Sequence, residues 1–452
     1  MSEQFNQQKN HSSNHQSEIS TYVPLPFNVS YKREFIAGLT TFLTMSYIIV
    51  VNPSILSTPG TGLPFQAVLT ATVMLSFLCT MLMGVWANLP YAIAPGMGLN
   101  AYFTYSLILG QKVPWQTALG ALFWSGILFF IFSVTPIRSY IIKSIPMTVR
   151  LGAAAGIGIF LTFIGLKNAL WIEAHPVTIV TFSHWNWSSL LALLGFFIGA
   201  ILWLRKNPAA FLISILVVTV CSLFLGLTHL PDHYFDWPDF KTLFFQLDLW
   251  GSFHLSLLPA IMSVMLTDLF DSLSSIVGLS KTSGLVDANG DPKNLKQALI
   301  VDSFATGLAG IFGTSSGTAF IESASGIEVG GRTGWTAIFC ALFFLPFFFL
   351  APILQVIPGY ATASVLVLVG FMMFSQSKEI FNLKKEDALC AFISLIIIPL
   401  TFSITQGLVW GMVFHVIIYF FSGRRKELSL GNYIVASVGI GLILIQNNVF
   451  QF

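Results

Sequence analysis

The chain has 452 residues, of which 55% are hydrophobic and only 9% are charged, and its formal net charge at pH 7 is +2. A soluble globular domain cannot present so apolar a surface, and the basic residues are too scattered for a nucleic-acid partner. The four cysteines lie in apolar stretches without a C-x-x-C pair, which argues against a disulfide framework and against a metal site.

The chain begins with a polar segment. Residues 1–30 are rich in Gln, Asn, Ser and His, and they lack the apolar core of a cleaved signal and the Arg-rich character of a transit peptide. This composition predicts a disordered tail that stays in the cytoplasm. No charged side chain occurs from residue 35 to residue 111, which predicts consecutive membrane spans.

Apolar stretches separated by polar or Pro/Gly breaks predict fourteen membrane spans, each close to the ~20 residues that cross a bilayer. The predicted spans are 35–56, 67–88, 91–109, 115–135, 147–169, 188–204, 208–226, 257–280, 296–311, 314–330, 333–351, 359–376, 386–403 and 405–422. Residues 432–446 form a further apolar stretch that is either an interfacial helix or an additional span.

The basic residues predict the orientation of these spans. With the N-terminus inside, all but three of the 21 Lys and Arg residues fall on the cytoplasmic side. The exceptions are Lys112, Lys167 and Lys241. Because cytoplasmic loops carry an excess of Lys and Arg, this asymmetry predicts fourteen spans with both termini in the cytoplasm.

Two predicted spans, the third and the tenth, are interrupted. Residues 91–103 and 313–326 are too rich in Gly, Pro, Ser and Thr for regular membrane helices. They carry the polar residues Asn100 and Glu322, and they lie about 220 residues apart, in matching places of two seven-span halves. Interrupted spans in matching places of inverted halves are typical of a transporter binding site. We therefore expect Asn100 and Glu322 to border one pocket near the middle of the membrane.

Acidic side chains inside membrane spans are costly and are therefore candidates for function. The predicted spans contain Asp268, Asp271, Asp302 and Glu322. Asp268 and Asp271 are three residues apart and share roughly one face of a helix. Either could bind a ligand or a proton, and the alternative for Asp268 is a bond to a neighbouring helix. For Asp302 a structural role or a paired neighbour is the preferred interpretation.

Four motifs in chain order resemble one transporter family. They are Tyr31-Lys-Arg-Glu-Phe-Ile-Ala-Gly38 with Val51-Asn-Pro53, then Ala94-Pro-Gly-Met-Gly-Leu-Asn-Ala-Tyr-Phe103, then Asp268-Leu-Phe-Asp271-Ser, and then Gly313-Thr-Ser with Ile321-Glu-Ser-Ala324 and Gly330-Gly-Arg-Thr-Gly334. The chain resembles the AzgA-like purine permeases, a branch of the nucleobase–cation symporters. It departs from their usual pattern at Ser272-Leu-Ser-Ser275, Ala319-Phe320 and Glu328, which leaves the preferred base open.

The resemblance implies an all-α membrane protein with a 7+7 inverted repeat and short strands in interrupted spans 3 and 10. It also implies a core domain that moves against a gate domain in an elevator-like manner. The expected divisions are a disordered tail (1–30), the core (31–135 and 257–351), the gate (136–226 and 352–423), an extracytoplasmic loop (227–256) and a cytoplasmic C-terminal segment (424–452).

The same resemblance implies the site. Glu322 and Asp271 are expected to bind substrate and to carry the coupling proton, with Asn100, Asp268 and Ser323 beside them. An aromatic ring is expected to stack on the base, and Phe103, Phe320 and Phe270 are the alternatives.

The function implied is uptake of purine bases (adenine, guanine or hypoxanthine) through the cytoplasmic inner or plasma membrane by proton symport. Sodium coupling and a homodimer are left open, and no cofactor is expected.

Two other classes of protein are alternatives. An anion transporter of the same fold predicts a basic residue at the tenth-span break, where this chain has Glu322. An intramembrane enzyme is the second alternative. A metalloprotease needs an H-E-x-x-H site, which the sequence lacks, whereas an aspartyl-type enzyme would need two acids on facing helices. Uptake rather than cleavage is the expected activity, so we do not expect an enzyme.

Overall fold

The computed structural model describes residues 30–135, 146–287 and 291–446. The predicted tail therefore lies outside the described residues except for Ser30. The helices of the first half are α1 Tyr31–Met45, α2 Ile48–Leu56, α3 Phe65–Val85, α4 Met97–Ala101, α5 Trp115–Val134, α6 Met147–Asn168, α7 Trp187–Leu204 and α8 Ala210–Phe224. A π-helix, Tyr102–Gly110, directly continues α4.

The second half is helical in the same way. Its helices are α9 Leu258–Ser283, α10 Leu295–Phe312, α11 Ser323–Val329, α12 Gly334–Phe344, α13 Ala351–Gln355, α14 Gly359–Phe374, α15 Lys385–Thr401, α16 Ile404–Phe421 and α17 Leu430–Gln446. Short 3₁₀ turns cover Leu255–Leu257, Leu345–Phe349, Ser375–Asn382 and Arg425–Glu427. The strands are β1 Ile93–Pro95, β2 Ile172–His175, β3 Ile179–Phe182 and β4 Gly317–Ala319.

Nine helical segments of the described chain are long and apolar enough to cross a membrane. The two interrupted spans contain only short helical segments. In the third span α4 has five residues and the π-helix that continues it has nine, and in the tenth span α11 has seven. The count of fourteen spans and the seven-plus-seven repeat therefore stay predictions. The ambiguous stretch 432–446 lies within α17, which packs against α16 and α9.

The first predicted span is two helices rather than one. Its chain turns at Ser46-Tyr47 between α1 and α2, and Pro53 follows within α2. Proline has no N–H to donate to the carbonyl four residues earlier, so a regular helix through this region lacks a hydrogen bond. The turn places the Tyr47 side chain, which is 1% exposed, toward the interior.

The helices pack in two groups. In one group α10 packs against α5, and α12 packs against α1 and α3. In the other group α6 packs against α14 and α15, and α7 packs against α8 and α14. The two groups follow the division into core and gate that the resemblance implies, and the domain boundaries themselves stay predictions.

Small residues allow close helix contacts in both groups, as is usual in membranes where apolar burial alone does not drive association. A Cβ added at Gly126 of α5 would lie 2.3 Å from the backbone nitrogen of Gly307 in α10. A Cβ at Gly158 of α6 would lie 2.5 Å from the carbonyl oxygen of Gly370 in α14.

Each interrupted span contains a three-residue strand, and the two strands pair antiparallel. The register joins Ile93 to Ala319, Ala94 to Thr318 and Pro95 to Gly317. The ladder continues at both ends, where Gly96 N–H donates to the Ser316 carbonyl (2.8 Å) and Phe320 N–H donates to the Ala92 carbonyl (2.9 Å). This pairing satisfies backbone groups that hydrocarbon could not satisfy, and it brings both breaks to one place.

A second pair of strands was not predicted from the sequence. β2 and β3 form an antiparallel hairpin between α6 and α7. Its side chains are exposed or half-buried, so no apolar alternation distinguishes it from an ordinary connection. The predicted loop 227–256 is largely irregular and is held by contacts such as Phe245 N–H to the Ile311 carbonyl at 2.8 Å.

Candidate functional site

The two paired breaks border a cavity of about 80 Å³, here called the inner cavity. It lies between the ends of β1 and β4, the middle of α9, the turn between α1 and α2, and the end of α14. Its lining residues are Tyr47, Gly96, Met97, Gly98, Asp271, Ser274, Ser275, Thr318, Ala319, Phe320, Ile321, Glu322, Val369 and Met373. Two of these are carboxylates and none is Lys or Arg.

Glu322 stands at the N-cap of α11, immediately after the strand β4 and Phe320. Its side chain is half-buried, and the Tyr47 hydroxyl donates a hydrogen bond to Oε1 at 2.7 Å. The second carboxylate oxygen is not engaged by a side chain of the described residues. Tyr47 therefore orients Glu322 and leaves acceptor capacity directed to the cavity.

Asp271 reaches the same cavity from α9. Its side chain is half-buried and forms no hydrogen bond or ion pair with the described residues, although it interacts electrostatically with Glu322. The two carboxylates, here called the cavity pair, can therefore accept N–H groups of one bound molecule from two directions.

A second cavity of about 270 Å³, here called the outer cavity, adjoins the inner one. Both cavities share Asp271, Ser274 and Met373 as lining residues. The outer cavity is also lined by Met147, Arg150, Leu151, Ala153, Ala154, Ile157, Thr267, Phe270, Leu273, Val277 and Leu408. These come from α6, α9, α14 and α16, so this cavity lies on the seam between the two helix groups.

Asn100, Phe103 and Ser323 are not among the residues that line either cavity, so their expected roles at the substrate stay predictions. Asn100 is fully buried and accepts a hydrogen bond from the Ser315 hydroxyl. The Ser323 hydroxyl accepts the Ala92 N–H at 3.0 Å, which ties α11 to the segment before β1. Phe103 is 1% exposed and packs in the hydrophobic core. Asn100 and Phe103 follow Gly98 in α4 and the π-helix, which direct both side chains into the protein interior.

Among the three aromatic alternatives, the structure places Phe320 in the inner cavity and Phe270 in the outer one.

Asp268 belongs to a different environment from Asp271. It lies in a fully buried polar cluster with Asp302, formed behind the strand β4 by α9 and α10. Ser316 donates to Asp268 Oδ2 at 2.6 Å, and Thr306 donates to the same oxygen. The Asp302 carboxylate is approached by the Ser272 hydroxyl and by the backbone N–H of Ala319. The two buried carboxylates are here called the sealed pair. Asp268 does not line the cavity as a substrate ligand, which corrects its expected place.

One hydroxyl pair connects the sealed cluster to the inner cavity. Thr318 of β4 lines the inner cavity, and its hydroxyl lies 2.6 Å from the Ser272 hydroxyl. Ser272 is fully buried one turn after Asp268 on α9. A movement of β4 would therefore displace groups both in the inner cavity and in the buried cluster around Asp268.

A further buried amide connects the first span to α3 and to the start of the tenth span. Asn52 of α2 donates to the Thr72 hydroxyl at 2.7 Å and to the Thr314 hydroxyl at 2.9 Å. Sequence reasoning assigned no role to Asn52, Tyr47 or Thr318. The available signal was their polarity within motifs that already stood out, namely the first span and the Ser/Thr-rich start of the tenth.

Residues 32–421 match the profile of the Permease family. The chain belongs to the nucleobase–cation symporter family. The chain is 41% identical to the adenine permease AdeP of Escherichia coli K12, over 90% of this chain and 91% of that one. It is 35% identical to the guanine/hypoxanthine permease PbuO of Bacillus subtilis 168, over 88% of this chain and 94% of that one. The resemblance to the AzgA-like purine permeases is confirmed.

The fold of the chain is similar to that of a solved transporter domain. The transmembrane domain of the cyanobacterial bicarbonate transporter BicA superposes with a TM-score of 0.65 at 17% identity, over 84% of this chain and 97% of that one. Family membership and the nine apolar helices identify a multi-pass integral membrane protein of the transporter class.

Proposed function

We propose that this symporter takes up purine bases across the cytoplasmic membrane by proton symport, with both termini in the cytoplasm. Adenine, guanine and hypoxanthine are the substrates that the names of its relatives support. The observation that carries the proposal is the cavity pair, Asp271 and Glu322, together with Phe320 in one cavity at the paired breaks.

A purine base is flat, neutral and rich in N–H donors along its edges. Carboxylates accept such donors in charge-assisted bonds that contribute about 1.5–3 kcal/mol each. Glu322, oriented by Tyr47, suits the N1–H edge, and guanine adds its amino group beside it. Phe320 offers an aromatic face against which the ring can pack.

Coupling to a proton follows from the same pair. Two carboxylates that face one small cavity repel each other when both are ionised, so a proton bound at either one relieves the repulsion. A neutral base then crosses together with that proton. Sodium is the alternative coupling ion, because carboxylate and hydroxyl oxygens also suit hard cations.

The position of the cavities supports an elevator-like movement. Asp271 and Glu322 belong to the helix group of the expected core, whereas Val369 and Met373 of α14 close the inner cavity from the expected gate. A displacement of the core past α14 would carry the bound base from one side to the other.

Transport of anions is disfavoured by the lining of the inner cavity. A bound anion needs a cation or several N–H donors, and this cavity presents two carboxylates without Lys or Arg among its lining residues. The similarity to the bicarbonate transporter concerns the fold and not this chemistry.

The test is uptake into proteoliposomes of radiolabelled adenine, guanine, hypoxanthine, xanthine and uracil. An inward proton gradient and an inward sodium gradient are imposed separately, and Glu322→Gln provides the matched control. Purine accumulation under the proton gradient is expected. The absence of purine uptake under both gradients would overturn the proposed function. Uptake under the sodium gradient alone would identify sodium, and not the proton, as the coupling ion.

A further inference from the structure

Arg150 is the one basic residue among those that line the outer cavity. It lies in the first turns of α6 and is half-buried. Its guanidinium carbon stands 5.7 Å from the centroid of the Phe270 ring, across the seam between the two helix groups. Within the described residues it takes part in no salt bridge, and its Nε has no hydrogen-bond partner.

The outer cavity also contains hydrogen-bond acceptors that complement the donors of the guanidinium. Asp271, which belongs to both cavities, supplies a hydrogen-bond acceptor, and Ser274 beside it supplies a hydroxyl. Arg150 supplies only donors, and Phe270 supplies an aromatic face. A molecule held here must therefore present N–H groups on one side and acceptors on the other.

We propose that Arg150 and Phe270 form an outer subsite that selects 6-oxopurines, such as hypoxanthine and guanine, over adenine. This proposal rests on the proposed function, and it specifies which edge of the base Arg150 binds. The base occupies this position on its way to or from Glu322.

The selectivity follows from the donor and acceptor pattern of the base. In a 6-oxopurine, O6 and N7 are adjacent acceptors that match the two parallel N–H groups of a guanidinium. In adenine an amino donor replaces O6, so one guanidinium N–H would face another donor. The N1–H of the oxopurine lies on the edge that can address a carboxylate, which Asp271 provides.

Lysine cannot reproduce this recognition, because an ammonium lacks the planar fork of the guanidinium. Glutamine keeps much of the length of the side chain and loses the charge and the paired donors. Arg205 is an exposed basic residue that ends α7 outside both cavities, so Arg205→Gln is the matched control for loss of one positive charge.

The experiment measures inhibition constants for hypoxanthine, 7-deazahypoxanthine and adenine in wild-type, R150Q, R150K and R205Q proteoliposomes. The deaza compound lacks the N7 acceptor and keeps the rest of the base. We expect the wild-type protein to prefer hypoxanthine to 7-deazahypoxanthine by about tenfold or more, as for a bidentate contact. In R150Q this ratio should fall below about threefold, in R150K it should be intermediate, and in R205Q it should be unchanged.

Binding is measured in parallel on purified protein through the shift of thermal stability by each base, so that a variant that no longer transports is still informative. A ratio of hypoxanthine to 7-deazahypoxanthine that is the same in R150Q and wild type would overturn the subsite. An equal loss for all three bases would overturn it as well, because Arg150 would then act on the structure. Failure of the wild-type protein to take up any purine would instead overturn the proposed function itself.

Discussion

The four carboxylates near the paired strands form two pairs with opposite surroundings. Asp271 and Glu322, the cavity pair, are half-buried and face open space. Asp268 and Asp302, the sealed pair, are fully buried behind β4 among serine and threonine hydroxyls. Asp268 and Asp271 are only three residues apart on α9. The two side chains are therefore about 60° apart around the helix axis, so that Asp271 faces the cavity whereas Asp268 bonds to the residues next to β4.

The cavity pair and the sealed pair should respond differently to the same substitution. Asp271→Asn removes the proposed proton carrier without removing a hydrogen bond made within the described residues. We expect proton-driven accumulation to be lost while counterflow of labelled base persists, with thermal stability within about 0.5 kcal/mol of wild type. Both transport modes are measured in the same proteoliposomes. Equal loss of accumulation and counterflow would assign Asp271 to binding rather than coupling.

Asp268→Asn is the corresponding change in the sealed pair. It weakens the bonds that Ser316 and Thr306 donate to a buried carboxylate. We expect a loss of about 1–3 kcal/mol of stability, together with weaker transport because Ser316 directly precedes β4. Thermal unfolding of the two purified variants tests the comparison directly. A normal unfolding midpoint for Asp268→Asn would show that the sealed pair does not brace the strand.

Glu322→Gln keeps the shape of the second cavity carboxylate and removes its charge. The loss of a charge-assisted bond to the base should lower affinity by roughly tenfold or more. Competition by unlabelled purine measures the change, and protein yield and stability should stay near wild type. Unchanged affinity in a correctly inserted variant would remove Glu322 from the site.

Tyr47→Phe tests how the cavity pair is oriented. The hydroxyl donates to Glu322 Oε1 at 2.7 Å, and the ring packs edge-on against Phe211 at 5.3 Å between centroids. Phenylalanine keeps the ring contact and loses only the hydrogen bond, so we expect affinity to fall by about threefold to tenfold. If the effect of Tyr47→Phe persists in the Glu322→Gln background, Tyr47 acts on the base directly.

Much of this arrangement could be predicted from the chain. The uncharged run from 35 to 111 indicates membrane spans, and the two Gly-, Ser- and Thr-rich breaks mark the place of the site. The motifs identified the family and pointed to Asp271 and Glu322. Orientation, the fourteen-span count, the domain boundaries, the coupling ion and the oligomeric state stay predictions.

The sequence was less informative about side-chain direction. Asn100 and Asp268 were expected at the substrate, yet both are fully buried and bonded to hydroxyls. The helical periodicity of a sequence predicts which residues share a helix face, but it does not predict which other elements pack against that face. Tyr47 was overlooked for the same reason, since its role depends on a partner 275 residues away.

The sequence by itself determined that this is a membrane protein, that two of its predicted spans are broken, and that the acids within its predicted spans lie in the second half of the chain. These properties follow from composition and local chemistry, because charges and helix breakers are costly in hydrocarbon. Only the tertiary structure decided which acids face a cavity. That outcome depends on the pairing of β1 with β4, which places one side of the strands against open space and the other against α9 and α10.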